Sequence, residues 1–133
     1  MAYSSELHSL VLISVATLLM WAPYVLMRFV KWGLWAPFAN PDPKWPALPA
    51  WADRAKEAHR NGVENLVTFA AVVLVAALVG VSTPATIMSA QVYVVARLAH
   101  YVIYTIGIPV ARTLAFLTGV AATLCIAWQI LST

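Results

Sequence analysis

Arg54, Glu57, Asn61 and Glu64 follow one another at steps of three, four and three along a segment that soon becomes almost purely apolar. That spacing stacks all four on one stripe of an α-helix, and Asn65 and Thr68 continue the stripe one turn deeper. A second set, Tyr93, Arg97, His100 and Tyr104, repeats the arrangement at steps of four, three and four. Two polar stripes on otherwise apolar helices are expected to face each other or a water-filled cavity. Arg97 is the most demanding of these residues, because an unpaired Arg at membrane depth costs about 2.5–3.5 kcal/mol. Glu64 is the only acid beyond the first turns of its helix, so a Glu64–Arg97 ion pair is expected. Such a pair either registers the helices or contacts a ligand directly.

Other chemistries lack their patterns. His59 and Glu64 are five apart and fall on different helix faces, and neither His-Glu-x-x-His nor Cys-x-x-Cys occurs, so no metal site is expected. His59 reads as an interfacial polar residue. There is no glycine-rich phosphate loop, and Ser, His and Asp show no triad spacing, although a triad is assembled in space rather than along the chain. Transport would call for internal repeats or interrupted helix pairs, which are not evident.

The elements that must carry these stripes follow from composition. Of 133 residues, 62% are hydrophobic, and 8 Lys and Arg with 5 Asp and Glu make only 10% charged. Mean hydropathy is +0.82. A soluble domain is about a quarter charged, so the surface of this chain is suited to lipid; disorder is excluded by the same hydrophobicity. The net charge of +3 does not form a nucleic-acid stripe, since six of the eight cations lie between Arg28 and Arg60. That asymmetry reads as membrane topology. The single Cys125 lies in an apolar run and allows no intrachain disulfide.

Four spans are expected, as one domain over residues 1–133. The first helix covers about 7–30; its charge-free run Leu7 to Met27 is long enough to cross a ~30 Å core. A cleaved signal peptide would need a basic start, whereas this one carries Glu6 and no Lys or Arg. Pro23 should kink the helix near its far end. Residues 31–52 form a loop, with Pro37, Pro41, Pro43, Pro46 and Pro49. Trp32, Trp35, Trp45 and Trp51 border it, either as headgroup anchors or packed within the loop. Helices over about 53–79, 85–106 and 110–131 follow, separated at Gly80 and at Gly107-Ile108-Pro109. Gly119 and the Ala pairs of the last helix read as close-packing positions. With the basic loop and Arg112 on one side, the positive-inside rule puts both termini outside the cytoplasm.

The stretch RAKEAHRNGVENLVTF, Arg54 to Phe69, resembles the second-helix signature of the MAPEG family, membrane-associated proteins in eicosanoid and glutathione metabolism. Ala96, Arg97 and His100 with Tyr104, then Gly107, Pro109, Arg112 and Thr113, are similar to the family's second block, and Phe38-Ala39-Asn40-Pro41 to its first loop. The resemblance implies an all-α, up-down four-helix membrane bundle of bacterial type, assembled as a homotrimer. It also implies glutathione bound between subunits near the cytoplasmic face. Asn61, Glu64, Arg97 and Tyr104 stand at positions that line that site, and Arg54 and His100 are added as candidate glutathione-binding residues. Arg112 stands where family members carry an Arg that stabilises the glutathione thiolate, with Thr113 as the neighbouring hydroxyl. A thiolate is the nucleophile, and it forms more readily beside a cation and a helix N-terminus.

One position departs from the pattern. Glutathione-using members commonly carry Arg two residues before the motif's His, where this chain has Glu57. Glu57 would repel a ligand carboxylate unless a cation such as Arg54, Lys56, Arg60 or Lys31 compensates, or unless it pairs with Arg54 or Arg60 on its own helix. Two function classes therefore stand. One is a glutathione transferase or lipid-hydroperoxide peroxidase in a bacterial inner membrane, with membrane lipids and an apolar substrate as its other partners. The alternative is a non-catalytic or differently liganded, lipid-binding or structural trimer of the same fold.

Overall fold

The computed structural model describes residues 2–133 and is helical wherever it is regular. Helix α1 (Ser5–Leu19) opens with Ser4 accepting from the Leu7 N–H. It breaks at Met20 and Trp21, and α2 (Ala22–Trp32) resumes with Pro23 in its first turn. The expected kink is thus a full interruption, because Pro23 has no N–H to return and its ring crowds the carbonyl four residues back. The Tyr101 hydroxyl donates to the Met20 carbonyl at the break, 2.9 Å away. Tyr101→Phe should cost about 0.6 kcal/mol, the usual value of a hydrogen bond between membrane helices; denaturant unfolding in detergent micelles checks it.

After α2 the chain folds back through a 3₁₀ turn (Ala36–Phe38) and the proline-rich loop. Trp32 packs on Trp45 at 5.2 Å between centroids, and its indole N–H donates to the Pro46 carbonyl. These two tryptophans thus hold the loop together, while Trp35 stays exposed. Helix α3 (Ala50–Val79) starts directly after Pro49, three residues ahead of expectation, and stops at Gly80, whose φ of +75° is a left-handed cap. Thr83 and Thr86 form a reciprocal capping box that launches α4 (Pro84–Ile106). Gly107 ends α4, and Pro109 starts α5 (Pro109–Leu131).

The two short turns reverse the chain, so α3, α4 and α5 are neighbours, with α1 laid against α3 and α4. Ile13, Phe69, Val73, Ala76, Ala90, Tyr93, Ala122 and Ile126 form the core. Phe69 and Tyr93 stack face to face, 3.7 Å between centroids. Outward residues such as Leu18, Val67, Leu78, Leu114 and Leu124 are apolar and exposed, which in hydrocarbon carries no penalty. Four helices, Ser5–Trp32 taken together, Ala50–Val79, Pro84–Ile106 and Pro109–Leu131, are long and apolar enough to cross a membrane.

A polar tie at the end of the bundle away from the loop has no counterpart in the sequence reading. Glu6 is 2% exposed, and its Oε1 accepts from the hydroxyls of Ser82 and Thr86. Thr83 reaches Gln129 of α5 in the same layer.

Candidate functional site

Where the polar third of α3 meets the end of α4 and the start of α5, Asn61, His100, Tyr104, Arg112, Thr113 and Phe116 line a hollow of about 200 Å³. The local sequence dictates this meeting. His100 and Tyr104, four apart, share a face of α4; Gly107, with φ +90°, turns the chain, and Pro109 restarts it so that Arg112 and Thr113 come back over that face. The Arg112 guanidinium lies 4.3 Å from the Tyr104 ring centroid, a cation–π contact, and Tyr104 meets His100 edge-on at 5.6 Å. Arg112 is the one charged side chain of the six and has no carboxylate partner among the described residues. No side chain caps the N-terminus of α5, so its unpaired N–H groups and dipole add to the attraction for an anion.

A second hollow of about 190 Å³ adjoins the first through Asn61 and Tyr104, and is completed by Glu57, Arg60 and Glu64. Arg60 Nε and Glu64 Oε1 are 3.2 Å apart, an exposed pair one turn apart on α3 and worth only a few tenths of a kcal/mol. Glu57 forms no ion pair among the described residues, so neither same-helix pairing open to it is made. Among the described residues, the groove therefore runs from the lone cation Arg112 at one end to the Arg60–Glu64 pair and the unpaired Glu57 at the other.

The expected Glu64–Arg97 pair is not formed. Arg97 is 3% exposed and donates from Nη2 to Asn61 Oδ1 at 2.6 Å, whereas the Glu64 side chain is 60% exposed and turns outward to Arg60. The two stripes do meet, but one turn nearer the polar end of α3, through the amide instead of the acid. Arg97 lines neither hollow. Arg54 lines neither as well: its Nε donates to the Thr105 carbonyl at 3.0 Å, and its guanidinium packs on Gly107, where an added Cβ would lie 3.2 Å from Cζ. Thr113 lines the first hollow with its hydroxyl donating to the Pro109 carbonyl of its own helix.

Of the residues lining the first hollow, Phe116 is the one the sequence does not single out. Phe116 lies one turn after Arg112, a spacing that was legible. Gly119 is a close-packing position, but what it accommodates is a side chain: a Cβ there would stand 3.2 Å from Arg97 Cδ. His59 is held by the Tyr24 hydroxyl at 2.7 Å and joins α2 to α3.

The family model of the MAPEG family matches residues 7–132. The chain belongs to the MAPEG family. Among MAPEG proteins it is similar to microsomal glutathione S-transferase 1 of Mus musculus, 34% identical over 80 residues, which is 59% of this chain and 52% of that protein. The Bos taurus protein of the same name gives 34% and the Homo sapiens one 31%, over the same lengths. The chain thus spans about half the length of the curated relatives it matches. An all-helical chain with four helices fit to cross a membrane agrees with MAPEG membership.

Proposed function

We propose that this MAPEG protein is a membrane-bound, glutathione-dependent transferase or peroxidase acting on apolar or lipid electrophiles. The observation that carries the proposal is the placement of Arg112, a half-buried cation without a carboxylate partner among the described residues, at an uncapped helix N-terminus beside Asn61, His100, Tyr104 and Thr113. The names of its similar relatives, microsomal glutathione S-transferase 1, support the choice of thiol.

Bound glutathione supplies the thiol. A free thiol ionises near pKa ~8.5, and the thiolate is the reactive form; Arg112 and the α5 N-terminus favour it, while the released proton passes to water. In transfer, sulfur bonds to the electrophilic carbon and the leaving group departs with its electron pair. In peroxide reduction, sulfur takes the distal oxygen, the O–O bond breaks, the alkoxide takes a proton, and a second glutathione yields disulfide and water. Thr113 serves as a donor to sulfur by turning its hydroxyl from the Pro109 carbonyl. The same proposal takes the protein as a homotrimer with glutathione between subunits. Its basic loop and α4–α5 turn face the cytoplasm, both termini lie outside, and the membrane is a bacterial inner membrane. Apolar substrates enter sideways from the bilayer.

Glu57, in the second hollow without an ion-pair partner among the described residues, favours the other class, a non-catalytic or differently liganded, lipid-binding or structural trimer. Calorimetric titration of the purified protein with glutathione separates them: saturable binding supports the transferase, and no heat at millimolar glutathione removes it. Glu57→Gln is expected to tighten glutathione about fivefold, because it takes an anion from beside a ligand with two carboxylates; an unchanged affinity would show that Glu57 does not face the ligand.

A further inference from the structure

Asn61 lines both hollows, as Tyr104 does, and its side chain is hydrogen-bonded to the buried Arg97 beneath them. Its side-chain oxygen accepts from Arg97 Nη2 at 2.6 Å and from Asn65 Nδ2 at 3.3 Å, the latter amide also donating to the Asn61 backbone carbonyl. A carbonyl oxygen offers two lone pairs, so both are engaged. The Nδ2 group has no hydrogen-bond partner among the described residues. Turning the amide over would set its N–H groups against a guanidinium and another amide N–H, donors facing donors.

Arg97 is built to enforce this. It is 3% exposed, makes no ion pair, and its Nε and Nη1 find no partner among the described residues. Its charge is therefore spent on the Asn61 oxygen, which polarises the amide and strengthens its N–H groups as donors. Gly119 makes room for the Arg97 stem.

We propose that Arg97 is a positioning residue for the ligand groove: it fixes the Asn61 amide with Nδ2 presented to the groove as a donor, so that this subsite selects an acceptor, a carboxylate or carbonyl oxygen. That the acceptor belongs to glutathione rests on the function proposed above; the orientation of the amide does not.

The test uses the full-length protein in detergent micelles. Asn61→Asp keeps an oxygen for Arg97 but replaces the donor with an acceptor. It should melt at or above the wild-type temperature and bind glutathione about tenfold or more weakly. Arg97→Met should weaken glutathione about fivefold, with Arg97→Lys, which retains an N–H for Asn61, recovering most of the loss. A merely structural role would lower melting and affinity together and would not separate them in Asn61→Asp. Wild-type affinity in Asn61→Asp, or melting well below wild type, overturns the assignment. If the wild-type protein binds no glutathione, the proposed function falls, and melting alone decides the orientation: Asn61→Asp must be stabilising with Arg97 present and lose that advantage in the Arg97→Met background.

Discussion

With the proposed glutathione-dependent activity, Arg112→Ala is expected to lower turnover about 100-fold while glutathione affinity falls much less, by under about tenfold. The asymmetry follows from when the charge is needed. A neutral thiol gains little from a nearby guanidinium, but the thiolate and the transition state that follows it gain what a fixed donor in a water-poor site usually supplies, about 10²–10³ in rate. Arg112 is half-buried and held over the Tyr104 ring, so it needs no reorganisation when the sulfur ionises. Loss of the side chain should also remove the ultraviolet band of bound thiolate at neutral pH. Arg112→Lys should fall between, since it keeps the charge but loses the planar contact with Tyr104. Steady-state kinetics with a chromogenic electrophile, read beside the thiolate band, check the prediction; an Arg112→Ala protein with wild-type turnover would refute it.

Phe69→Ala is expected to be the most destabilising single core change, by about 2 kcal/mol. Phe69 is 0% exposed and stacks flat on Tyr93, which in turn touches the helix α5 glycine beside Arg97. In water the same truncation costs about 3–5 kcal/mol, part of it the lost transfer of an apolar ring out of solvent. Between lipid-embedded helices that part disappears, because lipid is as apolar as the core, and what remains is the cavity and its missing contacts. The effect is read by unfolding in micelles. Phe69→Leu, which keeps most of the volume, should recover about half.

The spans were legible because lipid imposes a simple pattern: long charge-free runs, with Gly80 and Gly107 as stops, and the turn residues behaved as their backbone preferences dictate. The stripes were legible too, since helical periodicity fixes which side chains share a face. Which member of one stripe meets which member of the other was not. That depends on the axial offset between α3 and α4, and a shift of one turn exchanges Glu64 for Asn61 as the partner of Arg97. Charge complementarity favoured the acid; the observed offset instead sets the amide level with Arg97, while the Glu64 side chain turns outward to Arg60. Arg54 misled for a related reason. On the stripe it resembles a ligand cation, yet its length lets it fold over Gly107 to the Thr105 carbonyl. The role of Glu6 was hidden because its partners, Ser82 and Thr86, lie far along the chain and carry no charge to announce it.

That tie has a mechanical consequence. Helix α4 is fastened near its first turn, where Thr86 meets Glu6 of α1, and near its last, where the Thr105 carbonyl receives Arg54 of α3. A slide of one turn along its axis, about 5.4 Å, would strand a carboxylate at one extremity and release a guanidinium at the other. The helix is thus clamped like a rod between two stops, and His100 and Tyr104 are kept at a constant axial offset from Asn61 on α3.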